Sequence, residues 1–228
     1  MTVADRVAEG QKLTGESPDR ILAWAYENFG VEGVTIASSF GVEDVMLIDL
    51  ASRLVDHPDV FFLDTDLLFH ETYQTVAAIS ARYPIHLRRI SPALNLAEQA
   101  ERHGEDLWAR NPYACCGIRK VEPLHRAIKG YQAWVTGVRR EQSPTRANAE
   151  AVEWDQKHGL VKINPLVLLS TDEVWDYVKD HEVPYNTLHD QGFPSIGCMP
   201  CTRAVQPGED PRAGRWAGFD KKECGLHT

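Results

Sequence analysis

No stretch of the 228-residue sequence approaches the ~18 apolar residues of a membrane-spanning helix, which excludes a span of that kind. Residues Met1 to Gly10 mix acids and bases without an apolar run. Neither a secretory signal nor an Arg-rich transit peptide is therefore expected, and the expected location is the cytoplasm. Positive charge is in short supply: 24 Lys and Arg against 33 Asp and Glu leave a net charge of −9. That is the wrong sign for a surface that attracts nucleic acid or anionic membrane, so any anion must be met by a local basic cluster. The nine histidines form no H-x-x-x-H or H-E-x-x-H pattern, which argues against a histidine-based metal site. Cysteine is sparse as well. A domain of this length buries roughly 70% of its unfolded surface without staples, so the five cysteines need another explanation than holding a small fold together. Five is odd, and one thiol falls outside any set of pairs or any four-ligand site.

Hydrophobic patterning gives alternating strands and helices. Ser17-Pro18-Asp19 opens a helix through Ile21, Leu22, Ala25 and Phe29 that Gly30 stops. Val34–Ala37 reads as a strand that runs through Ser38-Ser39-Phe40-Gly41 into a helix from Val42 to Arg53, and Val60–Leu63 as a second strand followed by a helix around Glu71 to Tyr83. Pro84–Ile90, Gln132–Thr136 and Val161–Asn164 are three further strand candidates, and Ser170-Thr-Asp-Glu173 is a capping box that opens a helix ending before Pro184. The expected class is α/β, a mostly parallel twisted sheet with helices on both faces. In such sheets ligands bind beyond the carboxyl ends of the strands, here Ser38 to Gly41, Asp64 to Asp66 and Gly137 to Arg140. Regular periodicity is lost after about residue 186. The expected organisation is one domain over residues 1–205, followed by a loop-rich mobile tail over 206–228.

Four of the cysteines form two tight pairs, Cys115-Cys116 and Cys198-Met-Pro-Cys201. Four thiolates in two pairs suit one Zn²⁺ or one [4Fe–4S] cluster, and the directly adjacent pair is awkward for a zinc knuckle, which favours the cubane. The plainer alternative makes Cys115 and Cys116 buried core thiols. Cys224 stands alone near the end, with Lys221, Lys222 and His227 nearby. It is either a nucleophile activated by that positive charge or an incidental surface thiol. The Ser38–Asp44 loop sits between strand and helix, where an anion can be held, yet it matches neither the Walker nor the Rossmann pattern and could be a plain turn. Basic residues gather at Arg119-Lys120, at Arg139-Arg140 with Arg146, and at Arg212 with Arg215, which points to a small polyanionic ligand. Trp24, Trp108 and Trp175 are expected to pack in the core.

Taken together, Cys115-Cys116, Cys198-Met-Pro-Cys201, the terminal Glu223-Cys-Gly-Leu-His227, the Ser38–Asp44 loop and Leu63-Asp-Thr65 resemble the assimilatory adenylyl-sulfate reductases, relatives of the phosphoadenylyl-sulfate reductases. The resemblance covers nearly the whole chain. The terminal pentapeptide and the cysteine set are its most specific parts. It implies a PP-loop-like fold of the adenine nucleotide alpha hydrolase kind, with a [4Fe–4S] cluster on Cys115, Cys116, Cys198 and Cys201. It also implies thioredoxin-dependent reduction of adenylyl sulfate to sulfite and AMP, in sulfate assimilation and cysteine biosynthesis, through an S-sulfocysteine on Cys224. Ser38 and Ser39 match the phosphosulfate-loop positions, Leu63 and Thr65 those beside the adenine, and Gly137 a strand end near the nucleotide. Lys120, Arg146, Arg212 and Arg215 match the basic set that holds the phosphosulfate. Phe40 beside Gly41 is expected to narrow the cradle relative to ATP-hydrolysing relatives with S-G-G-x-D-S. Phosphoadenylyl sulfate stays open as a substrate, as does homo-oligomerisation. The reading of another class is a zinc-stabilised nucleotide-binding module without catalysis.

Overall fold

The computed structural model describes residues 2–221 and 223–226, so Lys222 and His227, set beside Cys224 above, lie outside the described residues. The chain divides into two compact units, one of residues 1–61, 77–88 and 128–185 and the other of 62–76, 89–127 and 186–228. The two units are interleaved in sequence.

Six strands form one sheet in the order β3-β2-β1-β4-β6-β5: β1 (Val34–Ser38), β2 (Asp59–Leu63), β3 (His86–Ile90), β4 (Ala133–Val135), β5 (Val152–Asp155) and β6 (Leu160–Ile163). In the first unit β4 runs parallel to both β1 and β6, with Val34 opposite Ala133 and Val135 opposite Ile163. The centre of this sheet is apolar on both faces, as parallel strands covered by helices require, with Ile36, Ala133, Trp134 and Val135 all buried. The five strands read from the sequence are present. The sixth, β5, was not foreseen; it is a four-residue antiparallel edge that pairs Val152 with Ile163.

Helix α1 (Val3–Gln11) was not foreseen either, and its docking explains why: a Cβ at Gly10 would lie 2.6 Å from Val152 Cγ2, so the helix depends on close backbone approach more than on an apolar stripe. Helix α2 (Pro18–Phe29) begins at the Ser17 cap and stops at Gly30, whose φ of 71° is the left-handed turn that glycine supplies. Helix α3 (Val42–Leu54) is buried along most of its length, and α9 (Thr171–Asp180) carries the Ser170–Glu173 capping box. Helix α4 (His70–Arg82) is shared by the two units.

The second unit contains α5 (Leu96–His103), α6 (Leu107–Arg110) and α7 (Pro112–Cys116), a π-helical turn over Gly117–Val121, and most of α8 (Glu122–Ile128). Asn111 caps α7 on the Ala114 N–H with Pro112 at its first position. After Cys116 the helix widens into this π turn, a feature frequent at functional sites. Residues 206–226 belong to this unit; Trp216 is buried and its N–H donates to Cys201 O at 3.0 Å. No helix among the described residues is long and apolar enough to cross a membrane.

Candidate functional site

In the second unit Cys115, Cys116, Cys198 and Cys201 line one cavity with Trp108, Arg119, Lys120, Arg215 and Trp216. Two elements bring them together: α7 supplies the adjacent pair, and a bridge of Leu68 with Cys198 seats the second pair. All are free thiols. Burial and then the neighbouring thiols push Cys115 up to about 12, and the same causes push Cys201 up to about 11. Burial raises Cys116 too, against the pull of Lys120 and Lys221. Among the described residues no three His, Cys, Asp or Glu converge on the position of a single metal ion.

Thr65, at the end of β2, is fully buried with its Oγ1 3.3 Å from Cys198 Sγ. Its side chain is therefore engaged with a thiol, while Leu63 is half-buried two residues earlier. Arg119 is also buried. It donates to Thr65 O at 2.7 Å, Asp66 Oδ2 at 2.6 Å, Leu94 O at 3.1 Å and Gln99 Oε1 at 3.2 Å, so it braces the loop after β2 from within. For Lys120 burial opposes the charge, but the negative charge that Cys198, Cys224 and Cys116 would carry holds the ammonium above the usual lysine range. Lys120 and Cys224 thus lie within electrostatic reach of the same cavity.

Arg215 donates through Nη1 to Ser195 Oγ at 3.1 Å and Ile196 O at 3.2 Å, while its buried Nε has no hydrogen-bond partner among the described residues. A side chain at Gly197 would collide with this guanidinium, so glycine there makes room for it. Arg212 is paired with Glu223 at 3.4 Å, next to Cys224. Trp108, expected in the core as Trp24 is, is half-buried: it packs against the cluster of Leu67, Leu107, Cys115 and Cys198 and lines the cysteine cavity as well. Its single aromatic signal could not distinguish the two roles. Trp216 was passed over as a site residue, since it belongs to no recognisable metal or phosphate motif, and Lys221 was read only as a positive charge near Cys224.

The first unit holds the other sequence-read positions. Ser38 Oγ accepts the Phe40 N–H at 3.0 Å, and Ser39 donates from N and Oγ to Asp44 Oδ2 at 2.6 and 2.7 Å. Phe40 has φ 57°, unusual for a bulky residue, and its side chain is buried. The ring thus anchors the loop in the interior, where the sequence had suggested a narrowing of its mouth. Burial is the main cause that pushes Asp44 up to about 6, against the lowering effect of the Ser39 bonds. Gly137 lies where β4 ends; a Cβ there would be 2.6 Å from Asp44 Oδ1 and 2.8 Å from Glu43 Cβ.

Arg139, counted above only within a basic cluster, is buried and ion-paired to Glu43 at 2.8 Å and Glu141 at 3.1 Å. Gln142 Nε2 bridges Glu43 Oε1 at 2.9 Å and Gly137 O at 3.0 Å, and Arg146 Nη1 donates to Gln142 Oε1. Arg146 is therefore held on a chain of bonds that begins at the N-terminus of α3.

Residues 33–204 match the model of the phosphoadenosine phosphosulfate reductase domain family. The chain is 48% identical over 229 residues to the adenosine 5'-phosphosulfate reductase of Shouchella clausii, covering 100% of this chain and 95% of that protein. It is 47% identical to adenosine 5'-phosphosulfate reductase 2 of Bacillus subtilis, covering 91% and 88%. Among solved structures it resembles the phosphoadenylyl-sulfate reductase of Candida auris in a phosphate complex, with a TM-score of 0.76, 31% identity, and 87% and 96% of the two chains covered. The fold is also that of Candida glabrata FMN adenylyltransferase, with a TM-score of 0.60 at 14% identity and 91% and 69% covered.

Proposed function

The chain belongs to the phosphoadenosine phosphosulfate reductase family and is an oxidoreductase that acts on adenylyl sulfate in sulfate assimilation; from that premise we propose which residues carry the reaction. Cys224 is the nucleophile. Its thiolate sulfur attacks the sulfate sulfur of adenylyl sulfate, a new S–S bond forms, the S–O bond to the phosphate breaks, and the electron pair leaves on AMP. One thiol of a thioredoxin-like dithiol protein then attacks Cys224 Sγ, sulfite departs with the bonding pair, and the second thiol resolves the mixed disulfide. The dithiol thus supplies both electrons. An external dithiol is needed because the other four cysteines are assigned to another task. The cytoplasm, where thiols stay reduced, suits this chemistry.

The observation that carries the reading is the four-cysteine cavity with Lys120, Arg215 and the Cys224 segment around it. Its donor set fits a [4Fe–4S] cluster. Thiols spread around a cavity suit a cubane, where each meets a different iron, and their upward shift as free thiols is what iron would relieve by taking them as thiolates. Cys115, Cys116, Cys198 and Cys201 would hold the cluster, which when bound would link α7 to the 198–201 turn without serving as the electron source.

Lys120, Arg212 and Arg215 are assigned to the charge on the phosphosulfate, with the unpartnered Arg215 Nε as a donor in hand. By the same resemblance Arg146, Ser38 and Ser39 are also assigned to the phosphosulfate, Gly137 to the nucleotide, and Leu63 and Thr65 to the adenine side. The test is sulfite release from adenylyl sulfate and from phosphoadenylyl sulfate with reduced thioredoxin, alongside iron and acid-labile sulfide analysis of anaerobically purified protein. Turnover of adenylyl sulfate with about four irons per chain is expected. Failure on both nucleotides sinks the substrate assignment, and stoichiometric zinc sinks the cluster.

A further inference from the structure

We propose that Lys221 is a positioning residue for Cys224, gripped by an aromatic cleft of Tyr113 and Trp216. The inference rests on the reading of Cys224 as nucleophile. Lys221 is only 5% exposed although it stands near the end of the chain. Its Nζ lies 3.8 Å from the centre of the Tyr113 ring and 5.5 Å from that of Trp216. A buried ammonium is costly unless something faces it, and ring faces attract a cation more strongly once water is excluded.

The cleft is itself well fixed. Tyr113 sits on α7 two residues before Cys115, and its hydroxyl donates to Asp220 O at 2.6 Å. Trp216 is buried and bonded through its N–H to Cys201 O. Beyond Lys221 the segment is secured again by Arg212 with Glu223, and a Cβ at Gly225 would lie 3.5 Å from Val121 Cγ2 on the π turn. Lys221 therefore anchors the chain just before Cys224, and that anchor keeps Cys224 within electrostatic reach of Cys116 and Lys120. The cleft holds the charge itself, which also acts on Cys116. A neutral side chain of the same length fills the space but gives the rings nothing to hold.

Holoenzyme mixed with adenylyl sulfate in the absence of reductant measures the first step alone, as the sulfonate mass gained by the intact protein over time. Lys221→Met should slow this step on the order of ten-fold, in keeping with a desolvated cation–π contact. AMP affinity and iron content should stay at wild-type values, and Lys221→Arg should restore most of the rate. Tyr113→Leu should match Lys221→Met, and the double variant should be no slower than either single one. A wild-type rate in Lys221→Met, additive losses in the double variant, or a parallel fall in AMP affinity or iron overturns the proposal. Cys224→Ser separates the two layers: a sulfonate gained by that variant removes the nucleophile assignment whatever Lys221 does.

Discussion

Gly137 and Asp44 stand so close that a single added methyl at residue 137 would lie 2.6 Å from the Asp44 carboxylate. The end of β4 and the start of α3 meet without a side chain between them, and Asp44 is the acceptor that shapes the Ser39 loop. Gly137→Ala must displace Asp44 or Glu43. A stability loss of about 1–3 kcal/mol is expected from the overpacking. A fall in AMP affinity should accompany it, read by calorimetry on the folded variant; unchanged affinity would dissociate this loop from nucleotide binding.

Asp44 gives the protein a specific pH dependence. Burial raises its pKa from 3.8 to about 6, so between these values the folded state holds a proton that the unfolded chain has lost. The stability this contributes is full below the lower value and declines as pH rises through the higher one, amounting to about 3 kcal/mol at most. Asp44→Asn should flatten the change in urea midpoint between pH 4 and pH 7. An equal slope in both proteins would contradict the assignment.

Asp66 occupies the left-handed region at φ 56° while its carboxylate accepts Arg119 Nη2 at 2.6 Å. Two opposing effects meet at one residue. Asp66→Ala loses the ion pair and keeps the backbone cost, whereas Asp66→Gly loses the pair and removes that cost. Denaturant unfolding should place the alanine variant about 1 kcal/mol below the glycine variant. Reversal of that order would mean that the loop relaxes out of the left-handed region.

The tail of the second unit is docked in the structure, through Tyr113 with Asp220 and Arg212 with Glu223. With Cys224 as the nucleophile proposed above, the second step would bring it against another protein's thiol, and this segment would then open during turnover. Limited proteolysis after about Asp210 should be slower with AMP bound than after S-sulfonation. Equal cleavage in all states would argue for a fixed tail.

Much of the fold was legible because its signals are local. Strands β1 and β2 are short apolar runs ending in polar turns, and α2 and α9 carry Ser caps and, for α9, a capping box. Edge strand β5 escaped because it has no such signature and is held by pairing with β6; helix α1 carries a Thr2–Asp5 capping box but buries only Gly10, so no apolar stripe marked it and it is held through the bare backbone there. At the site, cysteine spacing was enough to single out Cys115, Cys116, Cys198 and Cys201, because adjacent and near-adjacent thiols are rare by chance. Arg119 and Arg139 were legible only as charge. That both are buried braces, with partners more than fifty residues away in sequence, depends on contacts no local pattern encodes.

The sequence by itself determined the composition of this protein's chemistry: five thiols divided four and one, an acidic chain with a few concentrated cations, and an alternating α/β order. Only the tertiary structure decided which cations are committed to the fold and which face the thiols. It placed Trp108, Lys120 and Arg215 around the four cysteines and lodged Lys221 between two aromatic rings. The physical reason is that a charge acquires its role from its surroundings. Burial makes an arginine paired to a carboxylate a structural brace, while Arg215, held by Ser195 and Ile196 beside buried thiols, lines their cavity with its charge.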